Sequence, residues 1–239
     1  MVTIDLWADV TCPFCGITHL RLERVVREHP RAREISVVQH AFVGSADLPE
    51  SGITQSDLAG RAGVSAGALA AALGPVEEAA RREGFIDFRA IDRTVGPTGL
   101  THELLAFAAA SGRRAEIWHA MITAHFAENR QLWTTPQLVA FAAEVGLDRD
   151  AAEHVLSGRR YRDAVEADQQ RALALGARGI PFLVIDGRSA LSGMQSIESL
   201  RAAIDRAFSD LDAASPALDV LTGNAGAACA EPQQEKETR

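Results

Sequence analysis

Val2-Thr3-Ile4-Asp5-Leu6-Trp7-Ala8-Asp9-Val10 runs into Thr11-Cys12-Pro13-Phe14-Cys15, and the reading of that stretch decides the fold. Val2, Ile4, Leu6, Ala8 and Val10 fall on one face, with Thr3, Asp5, Trp7 and Asp9 on the other. Period two over this length predicts a β-strand. Pro13 then suits the first turn of a helix, because its missing N–H has no partner there anyway. Leu20, Leu22, Val25 and Val26 continue an apolar helical stripe as far as His29-Pro30, where the proline ends it. Cys12 and Cys15 therefore stand at a helix N-terminus, where unpaired N–H groups and a partial positive charge favour thiolate over thiol. A thiolate there attacks a disulfide, and a second cysteine one turn on resolves the mixed disulfide. The pattern points to thiol–disulfide exchange.

Outward from this stretch, residues 35–43 (Ile35, Val37, Val38, Ala41, Phe42, Val43) predict a second strand. Strand, helix and strand with a crossover of about 20 residues suggest a βαβ unit with parallel pairing. From 45 to 176 the chain turns Ala-, Leu-, Glu- and Arg-rich and predicts five to seven helices. Candidates lie at 101–110, 114–128, 148–156 and 160–175, with another from Thr135-Pro136 to Gly146. Strand chemistry returns at Pro181–Ile185, followed by an Asp186-Gly187 turn, a partner strand at Ser189–Gly193 and a helix at 196–209 carrying Ile197, Leu200, Ile204 and Phe208. The polar end, 211–239, reads as a disordered tail. The expected architecture is α/β: a discontinuous thioredoxin-like domain (1–44 and 177–210) interrupted by a large all-helical insertion (45–176).

The chain has 239 residues, a net charge of −8, 47% hydrophobic and 23% charged residues. That balance suits a soluble globular protein and argues against a phosphate-binding surface, so nucleic acid is not expected as a partner. No apolar run approaches the roughly 18 residues of a membrane helix, and no secretory pattern opens the chain, so a cytoplasmic location is expected. Of three cysteines, two form the CxxC. That usage reads as catalytic or metal-binding, not as a disulfide scaffold.

Asp9-Val10-Thr11-Cys12-Pro13-Phe14-Cys15 resembles the active-site segment of the DsbA-like thioredoxin family, in its FrnE-like branch. Thr101-His102-Glu103-Leu104-Leu105 and the stretch from Ala124 to Asp148 resemble that branch's helical insertion. Ala174-Leu175-Gly176, Gly179-Ile180-Pro181-Phe182 and Ser192-Gly193-Met194-Gln195 resemble its C-terminal signature. The resemblance spans roughly residues 2–208. It implies Cys12 as nucleophile, Cys15 as resolving thiol, and a cis peptide before Pro181 facing them, with the Ile180 backbone pairing to an extended peptide. Pro13, Phe14, Ile180 and Pro181 would then form the substrate contact, in an apolar cleft shaped by the insertion. Protein or peptide thiols and disulfides are the implied substrates, with glutathione or a thioredoxin system as electron partner. No cofactor is implied beyond the cysteine pair. Where Phe14 stands, the branch usually carries Trp and oxidising DsbA proteins carry His. Phe supplies neither a hydrogen bond nor a positive charge, so a moderate potential is expected.

Two other activities suit this scaffold. One is a glutathione-linked small-molecule isomerase or transferase of the 2-hydroxychromene-2-carboxylate isomerase or kappa-class type, against which the intact Cys15 argues. The other is a peptide-binding chaperone. Asp5 and Asp9, on the polar face of the first strand, read as solvated or capping carboxylates rather than as proton relays. His19 completes a Cys-x2-Cys-x3-His spacing, but zinc needs about four ligands and the only other thiol is Cys229 in the tail, so no metal site is expected. Cys229 reads as an idle thiol on the tail.

Overall fold

The computed structural model describes residues 1–85 and 87–214. Strand β1 (Val2–Ala8) lies between two partners, parallel to β2 (Ile35–Ala41) from Val2↔Ile35 to Ala8↔Ala41, and antiparallel to β5 (Phe182–Ile185) from Ile4↔Ile185 to Trp7↔Phe182. β6 (Ser189–Ser192) pairs antiparallel with β5, so the sheet order is β2-β1-β5-β6. The alternation has the expected consequence. Val2, Ile4, Leu6 and Ala8 are all fully buried, in one core with Leu22 and Val25 of α1 (Pro13–Glu28) and Leu200, Ile204 and Phe208 of α9 (Ile197–Ala214). A buried Ile or Leu of this kind contributes roughly 1.5–3 kcal/mol.

The opposite face of β1 is also covered. Trp7, Phe182 and Val184 pack with Ala172 of α8 (Arg162–Ala174) and with Ala177. The Trp7 indole N–H donates to the Asp168 carbonyl at 2.9 Å, and its ring stacks on His40 at 4.5 Å between centroids. His40 in turn bridges Asp5 (2.7 Å) and Asp168 (2.9 Å). Asp5 is thus largely withdrawn from solvent, and through His40 it ties the sheet to the helix covering it.

Between β2 and β5 the insertion contains α2 (Gln55–Arg61), α3 (Ala66–Arg82), α4 (Gly99–Ala110), α5 (Arg114–Phe126), α6 (Thr135–Glu144), α7 (Arg149–Ser157) and α8. Helix α6 is capped one residue earlier than Thr135, the cap that the sequence predicts: Thr134 is the N-cap, and the Thr134 and Trp133 N–H groups both donate to the Gln137 side chain, in a capping box. The insertion is helical except for one ribbon, β3 (Ile53–Thr54) against β4 (Thr94–Val95). Two residues a side are too few for an alternation to register in sequence. The last helix also outruns the expected 209, reaching Ala214, because Leu211 packs on the core and Asp212 pairs with Arg31 at 2.8 Å. The rest of the expected tail, including Cys229, lies outside the described residues.

Candidate active site

Cys12 is the N-cap of α1, with extended backbone (φ −82°, ψ 118°) and no side-chain cap. Its carbonyl accepts the first helical hydrogen bond, from Gly16 N–H at 2.9 Å. A cysteine at this position holds its sulfur before the unpaired first-turn N–H groups. Both cysteines are free thiols; Cys12 is half-buried and Cys15 is wholly buried. Their environments drive them apart. A hydrogen bond from the Cys15 thiol, aided by the Cys15 and Phe14 backbone N–H groups, lowers the Cys12 pKa despite burial. Burial, then the hydrogen bond given to Cys12, pushes Cys15 well above the ordinary thiol value. The arrangement thus favours a thiolate at Cys12 and retains a proton at Cys15.

The peptide between Ile180 and Pro181 is cis. Because Trp7 pairs with Phe182, the next step along the register sets Pro181 beside Ala8, at the end of the sheet where β1 passes into α1. Pro181 also accepts from Gly193 N–H at 2.8 Å, which ties it to the end of β6. Phe14 and Ile180 are half-buried against the main core. A cavity of about 430 Å³ opens nearby, lined by Val43, Pro97, Leu100, Glu103, Trp133 and Arg159 among others. It lies between the loop after β2, the start of α4 and α8, and Phe14 and Ile180 are not part of its lining.

Asp9 sits beneath this end of the sheet, 1% exposed. One carboxylate oxygen accepts from the Thr11 N–H and hydroxyl, each at 2.9 Å; the other accepts from Gly44 N–H and the Thr98 hydroxyl, each at 2.7 Å. Four donors from three segments join the strand–helix turn, the end of β2 and the insertion. The charge of Asp9 acts to raise both thiols.

Arg93 opposes it. It is 3% exposed and has no carboxylate partner among the described residues. Its guanidinium donates to the Ala90 carbonyl (3.0 Å), to Gln55 Oε1 (2.9 Å) and to His125 Nε2 (2.6 Å). Burial and the Arg93 charge hold His125 at about 3, so it is a neutral acceptor at physiological pH. Burial lowers Arg93 to about 10, against the charges of Cys12, Asp9 and Glu77, which leaves it cationic. Arg93 and Thr98 escaped sequence reading because nothing local marks a lone Arg or Thr in a loop. The one available signal was the absence of a cationic group at Phe14.

The insertion reaches the helix that carries the thiols. The Phe88 and Phe126 rings stack at 4.4 Å and lie on Gly16, where an added Cβ would stand 2.7 Å from the Phe126 ring. His19, one turn past Cys15, does not join the cysteines. Its Nε2 lies 3.1 Å from Glu23, which also takes a 2.7 Å hydrogen bond from His119 of α5. Burial raises Glu23, but the His119 and His19 contacts outweigh it and hold the carboxyl at about 2.

No curated protein matches the chain. Among solved structures, a probable DsbA oxidoreductase from Streptomyces coelicolor superposes with a TM-score of 0.81 at 28% identity, covering 88% of this chain and 91% of that one. A 2-hydroxychromene-2-carboxylate isomerase superposes at 0.66 with 19% identity, covering 89% and 100%. The cytosolic disulfide reductase DsbM from Pseudomonas aeruginosa, solved with glutathione, superposes at 0.57 with 19% identity, covering 88% and 98%. The two more distant likenesses concern the fold. The model of the DSBA-like thioredoxin domain matches residues 3–205, nearly the whole described chain, and by that match the protein belongs to the DSBA-like thioredoxin family.

Proposed function

We propose that this protein is a disulfide oxidoreductase acting on protein or peptide substrates through Cys12 and Cys15, with no cofactor beyond that pair. The observation that carries the reading is the placement of the two thiols, Cys12 half-buried as the N-cap of α1 and Cys15 wholly buried one turn on, which lowers the first and raises the second. The Cys12 thiolate attacks a substrate disulfide and expels one sulfur as thiolate. Cys15 then loses its proton to the departing thiolate and attacks the Cys12 sulfur. The substrate leaves reduced by two electrons, and Cys12–Cys15 remains as the disulfide. Pro13, Phe14, Ile180 and Pro181 are the proposed contact surface, where an extended peptide adds to the Ile180 backbone.

Glutathione or a thioredoxin system would reset the pair. A reducing role in the cytoplasm agrees with Phe14, which adds no charge to the thiolate, and the solved neighbours include one named as a cytosolic reductase. No described helix is long and apolar enough to cross a membrane. Assignment to the FrnE-like branch rests on the motifs around Cys12 and Pro181.

Cys15→Ala should accumulate a mixed disulfide between Cys12 and a disulfide-bonded peptide, seen by mass under non-reducing conditions. Cys12→Ala should form none and lose at least about a hundredfold in turnover, as expected for a nucleophile. Wild-type turnover by Cys12→Ala would overturn the proposal. One observation favours a second reading: the cavity of about 430 Å³ is of a size for a small-molecule ligand. Glutathione-linked isomerisation would survive Cys15→Ala, whereas turnover of disulfides would not.

A further inference from the structure

We propose that His19, Glu23 and His119 form a binding site for one divalent ion of the zinc class, separate from the cysteine pair. His19 and Glu23 are four residues apart on α1 and so share a face; His119 comes from α5, packed alongside. One donor atom from each residue can be chosen so that all three lie within 4.8 Å of one another. The Glu23 carboxylate spans the two rings, with His19 Nε2 3.1 Å from its Oε1 and His119 Nδ1 2.7 Å from its Oε2. Donors about 2.0–2.1 Å from a tetrahedral zinc stand roughly 3.3 Å apart, so small side-chain rotations close the triangle.

A second observation points into this triangle. His19 is 1% exposed, and its Nε2 has no hydrogen-bond partner. It approaches Glu23 closely without a direction suited to N–H donation. A buried nitrogen without a well-directed hydrogen bond is unfavourable, and a metal ion would engage its lone pair directly. The ring is held in place by its neighbours, with Trp118 at 6.5 Å and His119 at 6.1 Å between centroids. Two imidazoles and one carboxylate suit zinc, whereas calcium and magnesium favour all-oxygen sets. Three protein ligands leave a fourth position for water or an exchangeable group. His119 and Leu20 border a cavity of about 240 Å³ whose other walls include Phe88, Ile122 and Phe126. The ion would clamp α1 to α5 one helical turn below Cys15.

The experiment uses full-length Cys229→Ser protein with Cys12–Cys15 oxidised, so that no thiolate can bind metal. Equilibrium dialysis against zinc with elemental analysis should give one ion per chain. His119→Ala and Glu23→Gln should each weaken binding by about tenfold or more, since even outer-shell changes cost that much. His119 is half-exposed, so its removal leaves the core intact. Zinc should raise the Tm of the oxidised parent but not of His119→Ala. Cobalt substitution should give ligand-field bands without thiolate charge transfer. Absence of binding to the oxidised protein, or unchanged affinity in His119→Ala, would overturn the site; either result leaves the Cys12–Cys15 chemistry as proposed.

Discussion

At the N-terminal edge of α1, two buried charges act on one sulfur in opposite senses. Asp9 raises both cysteines. Removing its charge with Asp9→Asn should therefore lower the Cys12 pKa, and a better-stabilised thiolate makes the couple more oxidising. Thiolate absorbance against pH, together with the equilibrium potential against glutathione, checks both signs. The charge of Cys12 helps to keep Arg93 protonated, and that attraction is mutual. Arg93→Gln should accordingly raise the Cys12 pKa and slow attack on a disulfide at pH 7; an unchanged titration would dissociate Arg93 from the thiol. Of these groups the cysteines were readable from spacing alone. Asp9 was visible as a residue but not as a hub, because its donors Gly44 and Thr98 are 35 and 89 positions away.

Elements meet here through a few close approaches with no room to spare. Trp133, 1% exposed, lies flat on Gly96 and donates to the Glu50 carbonyl at 2.9 Å. Gly96→Ala would drive a methyl group into the indole, so a loss of about 1–3 kcal/mol is expected from the overpacking, measured as a lower urea midpoint. The contact joining α1 to α5 has a pH signature. The Glu23 carboxyl is depressed from 4.5 to about 2, so its stabilisation is complete above about 4.5 and is lost as pH falls towards 2. His119 is raised from 6.5 by its hydrogen bond to Glu23, so its share is complete below 6.5 and is lost as pH rises through the folded value. The pair therefore contributes most between pH 4.5 and 6.5. Both side chains are partly exposed and screened by water, so about 1 kcal/mol is expected. Urea unfolding of wild type and Glu23→Gln across pH 2–9, in chelator, should show the difference peaking in that window. Element types were legible because α1 and α9 carry clear apolar stripes and α6 opens on a capping box. The β3–β4 ribbon was not, since two-residue strands leave no period to read.

Across the whole molecule, the thioredoxin-like part and the insertion share one core. Val2, Ile4 and Leu6 of the sheet belong to the same buried cluster as Leu104, Trp118 and Phe141 of the insertion. Trp7 is hydrogen-bonded to α8, so the three tryptophans report on both parts. Unfolding followed by Trp fluorescence and by far-UV dichroism should superimpose as one transition; two separated midpoints would show that the insertion folds by itself. The sequence shows a change of composition near 44/45 and 176/177. The seam was not visible there, because Asp5, His40, Asp168 and Arg114 are polar residues whose pairing depends on how the two parts dock. A further consequence follows from the place of β5 in the chain. β1 pairs with β5 from Ile4 to Trp7, yet β5 is synthesised only after every helix of the insertion. A nascent chain emerging from the ribosome thus carries Cys12 and Cys15 beside an open strand edge through the synthesis of the whole insertion, and the sheet is complete only once residues 182–192 have followed.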